Sequence, residues 1–422
     1  ALCPVIVMDP ESIQAQGNVR AWQMRESFMR CADAAVQRVG TLAALLQILP
    51  TRLPRELTLP LMPVLPHGPA IAAEDEACHW SPASLQELAG KDVFNAYDRW
   101  FLNGYSKDGS CFFALALGVY PGRGVVDAAF SISIAGEQHN VRASRLLRGD
   151  EWPKTGPARI DTCVGPISIQ VVEPLRKVRI QVSPTSGISA DLEYTARFPA
   201  VREPHFKFMM QGVGEFDYCR LTQLVEWTGH LACPGASWSP DKWPGTRDRS
   251  WGRRPHAESS AVKEALPQLP IVRQWIDSVL PKAPQFFWTW APLHFPEGGV
   301  LYHTNDDKAG TPINRSASVL GVGLGEAAVR AGHSGTYVPG TRRLSSATIT
   351  LSPKSSDTTT IHLTVLRNFF MSGIGYAHPT LGHGAQPGRD LVVRVDRMDT
   401  ELVDQMDPVY MHVQGICSVV AE

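Results

Sequence analysis

Several things are missing from this 422-residue chain. It has no excess of charge: 40 Lys+Arg stand against 41 Asp+Glu, so nothing in the balance calls for a nucleic-acid partner. It has no long apolar run. The longest, Gly40–Pro50, is 11 residues, short of the ~20 that span a bilayer as a helix. Its eight cysteines form no C-x-x-C pair and have no histidine at zinc-finger spacing. No metal site is expected, and a chain of this length does not need disulfide staples. The opening ALCPVIVMDP lacks the basic segment of a secretory leader, so reduced thiols in a cytoplasmic-type compartment are the expectation. There is no G-x-x-x-x-G-K-[ST], no G-x-S-x-G and no H-E-x-x-H. Gly321-Val-Gly323-Leu-Gly325 lacks a surrounding strand–helix–strand pattern and reads as a glycine turn. No cofactor is expected.

What is present is a turn-rich globular composition, with 35 glycines, 33 prolines and 44% hydrophobic residues. Residues Ile13–Leu49 carry apolar side chains at helical spacing (Phe28, Ala32, Ala35, Val39, Leu42) interleaved with arginines. The proline-rich Leu49–Pro69 follows, and it cannot continue a helix. Together they predict an N-terminal arm over residues 1–80, which either packs on the body or lies against a membrane surface. Beyond it the pattern turns to short strands. Phe112–Tyr120, Val125–Gly136, Ile167–Glu173, Lys177–Ser183 and Ala190–Phe198 make one series. Phe286–Phe295, Gly299–Thr304, Ala347–Pro353, Thr360–Leu366, Asp390–Met398 and Met411–Val420 make a second. A proline-broken helix is expected at His256–Leu280. The fold class is therefore mainly β: two antiparallel barrel or sandwich domains in tandem, residues 81–235 and 236–422, behind a helical arm.

Three stretches stand out. The first is GTRDRSWGRRP, Gly245–Pro255, at the expected junction. Here Asp248 lies between Arg247 and Arg249, Trp251 offers an apolar wall, and Gly252 suits a sharp turn. The run reads either as an ion-pair clasp between domains or as an acid in a dry pocket. Two flanking guanidiniums would lower the carboxyl pKa, whereas a general acid needs it raised. The second is GIGYAHPTLGHG, Gly373–Gly384, with Tyr376, His378 and His383. On a strand, Tyr376 and His378 would share a face. The third is EPLRKVRIQV, Glu173–Val182, followed by GISADLEY, Gly187–Tyr194. In addition, Trp288 and Trp290 share one face of a predicted strand, as core or as cavity lining, and Trp227 lies near the end of the first domain.

These stretches resemble the lipocalin-like double-barrel family that includes AttH-type proteins and the carotenoid 1,2-hydratases (hydroxyneurosporene synthases). EPLR with its following GISADLEY resembles turn and strand pairs of the family's first barrel. RDRSWGRR resembles its inter-domain signature, and GYAHPTLGHG a late strand-turn. The likeness covers about residues 90–420. It implies two lipocalin-like barrels, with the RDRSWG run opening the second. It also implies a cofactor-independent hydro-lyase or isomerase acting on a large apolar substrate, isoprenoid, carotenoid or steroid-like. Water would be added or removed, or a double bond shifted. Asp248 or Tyr376 would supply the proton, His378 would steer water, and Trp251, Trp288 and Trp290 would face a cation. Arg247, Trp227 and His383 would complete the substrate lining. A non-catalytic carrier of a hydrophobic ligand and a cyclase or pericyclic catalyst are the alternatives. Whether two copies of the chain pair is left open.

Overall fold

In a computed structural model, the described residues are 2–8, 56–58 and most of 62–422, with 149–162, 256–285 and shorter stretches outside them. The helices expected at Ile13–Leu49 and His256–Leu280 lie outside the described residues. The remainder is mainly β, as expected. Two large, curled, antiparallel sheets form the body, and the described helices are short, Pro82–Glu87 and Lys91–Phe94. Strands come from the predicted periodicities. In Lys177–Thr185, Val178, Ile180 and Val182 face inward while Lys177, Arg179 and Gln181 face out, the alternation of a sheet with one wet face. Phe112–Tyr120 is apolar throughout and is buried on both faces.

The larger sheet runs, in spatial order, Val392–Asp399, Glu137–Leu146, Val125–Ile134, Phe112–Tyr120, Ala96–Tyr105, Trp243–Arg253, Gly214–Cys233, Ile188–Ala196, Lys177–Thr185, Ile167–Glu173 and Cys163–Val164. The smaller one runs Glu56–Thr58, Arg330–Tyr337, Leu344–Ser352, Thr359–Phe370, Val413–Ala421, Leu2–Met8, Phe286–His294, Gly298–Asp307, Pro312–Gly321 and Glu326–Ala327. Leu2–Met8, within the stretch expected to be an arm, is thus a strand of the smaller sheet. Val392–Asp399, late in the chain, pairs with Glu137–Leu146 at an edge of the larger one.

Each sheet has an inner face and a face turned to the other sheet. The inner face of the larger sheet holds Trp100, Leu102, Phe113, Phe130 and Trp227. That of the smaller holds Leu293, Tyr302, Ile349 and Leu363. A separate cluster, with Tyr97, Phe101, Tyr218, Trp288, Trp290 and Phe369, joins the two sheets. The seam between the sheets is therefore a buried layer of its own, and both sheets present it with side chains of one strand phase.

The run Gly245–Pro255 was expected at the junction between the domains, with a sharp turn at Gly252. Its residues Gly245–Arg253 instead lie in an interior strand of the larger sheet, paired with Gly214–Cys233 on one side and Ala96–Tyr105 on the other. Gly252 does not turn the chain. Its φ of 142° lets the strand pass the Asp217–Tyr218 backbone, where a Cβ would stand 2.3 Å from the Asp217 carbonyl oxygen.

Candidate active site

Strand alternation divides the arginine-rich run. Arg247 and Arg249 project to the inner face of the larger sheet, and Asp248 projects to the seam, in register with Phe101 and Thr222. The expectation of a carboxylate held between these two guanidiniums is thus corrected: neighbours in a strand point to opposite faces. Arg247 pairs with Asp75, and Arg249 donates to Asp98 at 2.8 Å. Both guanidiniums lie on Trp100, 4.8 and 4.4 Å from its ring. Asp98 also takes the backbone N–H of His79 at 2.7 Å, and the His79 ring stacks on Trp251 at 4.0 Å. Burial alone would raise the Asp98 pKa, but Arg249 and His79 hold it below its ordinary value. This is a clasp that fixes Asp75 and His79 to the sheet.

The seam side is different. Asp248 is buried there, and its Oδ1 makes no hydrogen bond among the described residues. Its Oδ2 lies 3.8 Å from Arg220 Nη1, which also lacks a hydrogen-bond partner. Burial pushes the Asp248 carboxyl up to about 6, with Glu203 adding to the rise and Arg220, Arg99 and Arg254 opposing it. The objection that flanking arginines would depress this acid therefore falls away.

Arg220 is oriented by Glu203, to which its Nε donates at 2.8 Å and its Nη2 at 2.5 Å. Glu203 also accepts from Thr222 at 2.6 Å and, across the seam, from Trp290 Nε1 at 3.1 Å. Burial raises the Glu203 carboxyl, but Arg220, His303, His67 and the Thr222 bond outweigh it and bring it down to about 2. Glu203 is thus a fixed carboxylate that ties the sheets together.

Around Asp248 the aromatic and cationic side chains close into a ring. Arg220 lies 4.8 Å from the Trp288 ring and 6.0 Å from Tyr218. Arg254 lies 4.6 Å from Tyr218 and 5.0 Å from Tyr97. Arg99 lies 5.7 Å from Tyr97 and 4.8 Å from Tyr376, and donates to the Tyr376 hydroxyl at 2.6 Å. Tyr376 meets the His412 ring at 4.3 Å, and His412 lies 6.2 Å from Trp288. Burial, then Arg99 and Arg254, hold the His412 pKa well below its ordinary value, so the imidazole is neutral.

A family model described as "Family of unknown function (DUF8625)" matches residues 72–421. The chain belongs to this family. Its matched segment contains every member of the ring. No curated protein matches the chain. Among solved structures, the chain is similar to a protein assigned as AttH from Nitrosomonas europaea. The identity is 12% and the TM-score 0.41, over 83% of this chain and 99% of that one. It is also similar to kievitone hydratase from Nectria haematococca, at 14% identity and a TM-score of 0.36, over 86% and 97%. Likenesses this low carry no argument, and the fold stands on the strands above.

Of the residues singled out in the sequence, the structure gathers Asp248, Tyr376, Trp288 and Trp290 at the seam. His383 stands behind Tyr376, ring to ring at 4.5 Å. Arg247, Trp251 and Trp227 face the other side of the sheet, where Trp227 Nε1 donates to the Asn103 carbonyl at 2.8 Å. His378 does not share a strand face with Tyr376. Met371–Ile374 is a 3-10 turn, Ala377 has a φ of 53°, and His378 Nδ1 accepts the amides of Thr380 and Leu381 at 3.3 and 3.0 Å. It caps a turn.

Sequence reasoning missed Glu203, Arg220, Arg254, Arg99 and His412. The available signal was a charged or imidazole side chain at the buried phase of an otherwise apolar strand, as in YDRWF and CRLTQL. It also missed Asp127, a half-buried carboxyl that accepts the Gly384 amide at 2.6 Å. Burial pushes it up to about 7. It lines a small cavity with Arg142, Ser144 and His383. Among the described residues, no group of three or more His, Cys, Asp or Glu is disposed to hold a metal ion. No described helix is long and apolar enough to cross a membrane.

Proposed function

We propose that this chain is an acid–base enzyme working in the seam between its two sheets. Its substrate has a large apolar framework, and the reaction adds or removes water or shifts a double bond. The observation that carries the reading is the Asp248 carboxyl. It is buried, is pushed up to about 6 by that burial, and among the described residues has one oxygen without a hydrogen bond. A group of that kind is available as both acid and base at working pH. A substrate oxygen beside the Asp248–Arg220 pair could touch both at hydrogen-bond length, since the two are 3.8 Å apart. Tyr376, oriented by Arg99, is the second proton carrier. Trp288 and Trp290 form the apolar wall.

Electrostatics select among mechanisms. A carbocation facing Trp288 would also face the guanidinium of Arg220, with Arg254 and Arg99 further round the ring. Like charges in a dry site repel strongly, so that route is disfavoured. Negative charge developing on an oxygen is favoured instead. The reading is therefore proton transfer next to a carbonyl: Asp248 takes a proton from carbon, an enolate forms, and a hydroxyl leaves with a proton from Tyr376. Run in reverse, this is hydration. Without a leaving hydroxyl, return of the proton further along the chain of double bonds is isomerisation.

The test is incubation of the purified protein with a pool of hydrophobic metabolites, followed by mass spectrometry of the organic extract. A compound that gains or loses one water, or changes isomer, with the wild type and not with Asp248→Asn supports the proposal. A bound compound recovered unchanged after long incubation would make the protein a carrier.

A further inference from the structure

The ring holds more cations than carboxylates. Arg220 is matched by Glu203. Arg99 and Arg254 are 4% and 7% exposed, and among the described residues neither meets a carboxylate at ion-pair distance. Their guanidiniums share the Tyr97 ring, at 5.7 and 5.0 Å, and Arg254 Nε makes no hydrogen bond. Stacking on neutral rings and the nearby Asp248 carboxylate offset part of the burial cost of these cations, but three guanidiniums share only two carboxylates, Glu203 and Asp248. By contrast, Arg247 and Arg249, on the other face of the same strand, each have an aspartate.

The surrounding polar atoms point the same way. Among the described residues, Trp288 Nε1, both ring nitrogens of His412, and both amide atoms of Gln414 are buried without hydrogen-bond partners, all on the side of the smaller sheet. Guanidinium and indole N–H groups can only donate. A ligand that met these groups would accept hydrogen bonds and carry negative charge, and planar oxyanions match the guanidinium fork best. The rest of the layer, with Phe101, Trp290, Phe369 and Ile416, is apolar.

We infer that the ring is a binding site for an organic anion, an apolar molecule bearing one carboxylate or acidic enol whose oxygens sit between Arg99 and Arg254. This rests on the seam being the ligand site of the proposed reaction, and it holds whether or not Asp248 performs chemistry. An enolate conjugated to the bound anion would keep its charge beside the same guanidiniums throughout the reaction.

The experiment compares 2-naphthoate with the uncharged, near-isosteric 2-naphthamide as probes, using thermal unfolding and calorimetric titration of the full chain. Naphthoate is expected to bind the wild type at least about tenfold more tightly than naphthamide and to raise its melting temperature. Arg254→Met is expected to lose that preference, with its melting temperature without ligand showing that it is folded. Equal binding of the two probes, or a naphthoate preference that survives in both Arg254→Met and Arg99→Met, would overturn the inference. The wild-type comparison decides even if the variants do not fold. Asp248→Asn separates the two proposals. If it keeps naphthoate binding and loses turnover, both stand. If it keeps turnover, the acid–base proposal fails and the anion site remains.

Discussion

Replacing Asp248 with asparagine should stabilise the folded protein near neutral pH while abolishing turnover. The carboxyl rises from its ordinary 3.8 to about 6 on folding, chiefly through burial. A tenfold change in proton affinity is worth ~1.4 kcal/mol, so ionised Asp248 costs the fold about 3 kcal/mol. The sign follows from proton binding. Between about pH 4 and 6 the unfolded chain sheds this proton and the folded chain keeps it, so stability falls as pH rises through that window. Above about pH 6 both states are ionised and the full cost persists. Asparagine has the same shape and nothing to titrate. In urea unfolding, Asp248→Asn should therefore match the wild type near pH 4 and exceed it by about 3 kcal/mol at pH 7.5. Turnover should drop by a factor on the order of 10² to 10⁴, the usual contribution of a general acid or base. A variant less stable than wild type at pH 7.5, or a stability difference that does not change with pH, would refute the account of this carboxyl.

Four further substitutions probe the surroundings. Arg249→Leu strands the buried Asp98 carboxylate and should cost about 3–5 kcal/mol in urea unfolding, with the naphthoate preference unchanged in the protein that remains folded. Tyr376→Phe removes one charge-assisted hydrogen bond, so stability should fall by about 1.5–3 kcal/mol while turnover falls by about 10²-fold; His378→Ala, at a turn cap, should change turnover by less than about twofold. Gly373→Ala places a Cβ 2.0 Å from Gln138 Nε2 and 2.3 Å from Asn140 Oδ1. It should lift the segment that carries Tyr376, costing about 1–3 kcal/mol and slowing turnover, as read by unfolding and by the mass-spectrometric assay.

Much of the strand inventory was legible. Phe112–Tyr120 and Ile167–Glu173 begin and end where their apolar patterns do. Trp243–Arg253 was not legible as a strand, because Gly245–Ser250 carry charge, hydroxyls and glycine in place of an apolar alternation. Those side chains are buried all the same, and the partners that compensate the arginines are distant in sequence. Asp98 answers Arg249 across 151 positions, and no local pattern encodes such a partner. The pairing of Tyr376 with Arg99 spans 277 positions and was equally hidden.

The sequence by itself determined the class of the protein. Short alternating runs with frequent glycine and proline bury their apolar faces as antiparallel sheets, and the arginine-rich run, Tyr376 and the Trp288–Trp290 pair were visible as candidate site positions. The tertiary structure decided what each of them does. Side chains of successive strand residues point to opposite faces, so one run supplies a clasp on one side of a sheet and an acid on the other. Which side receives carboxylates and which receives tyrosines depends on the strands that fold against it.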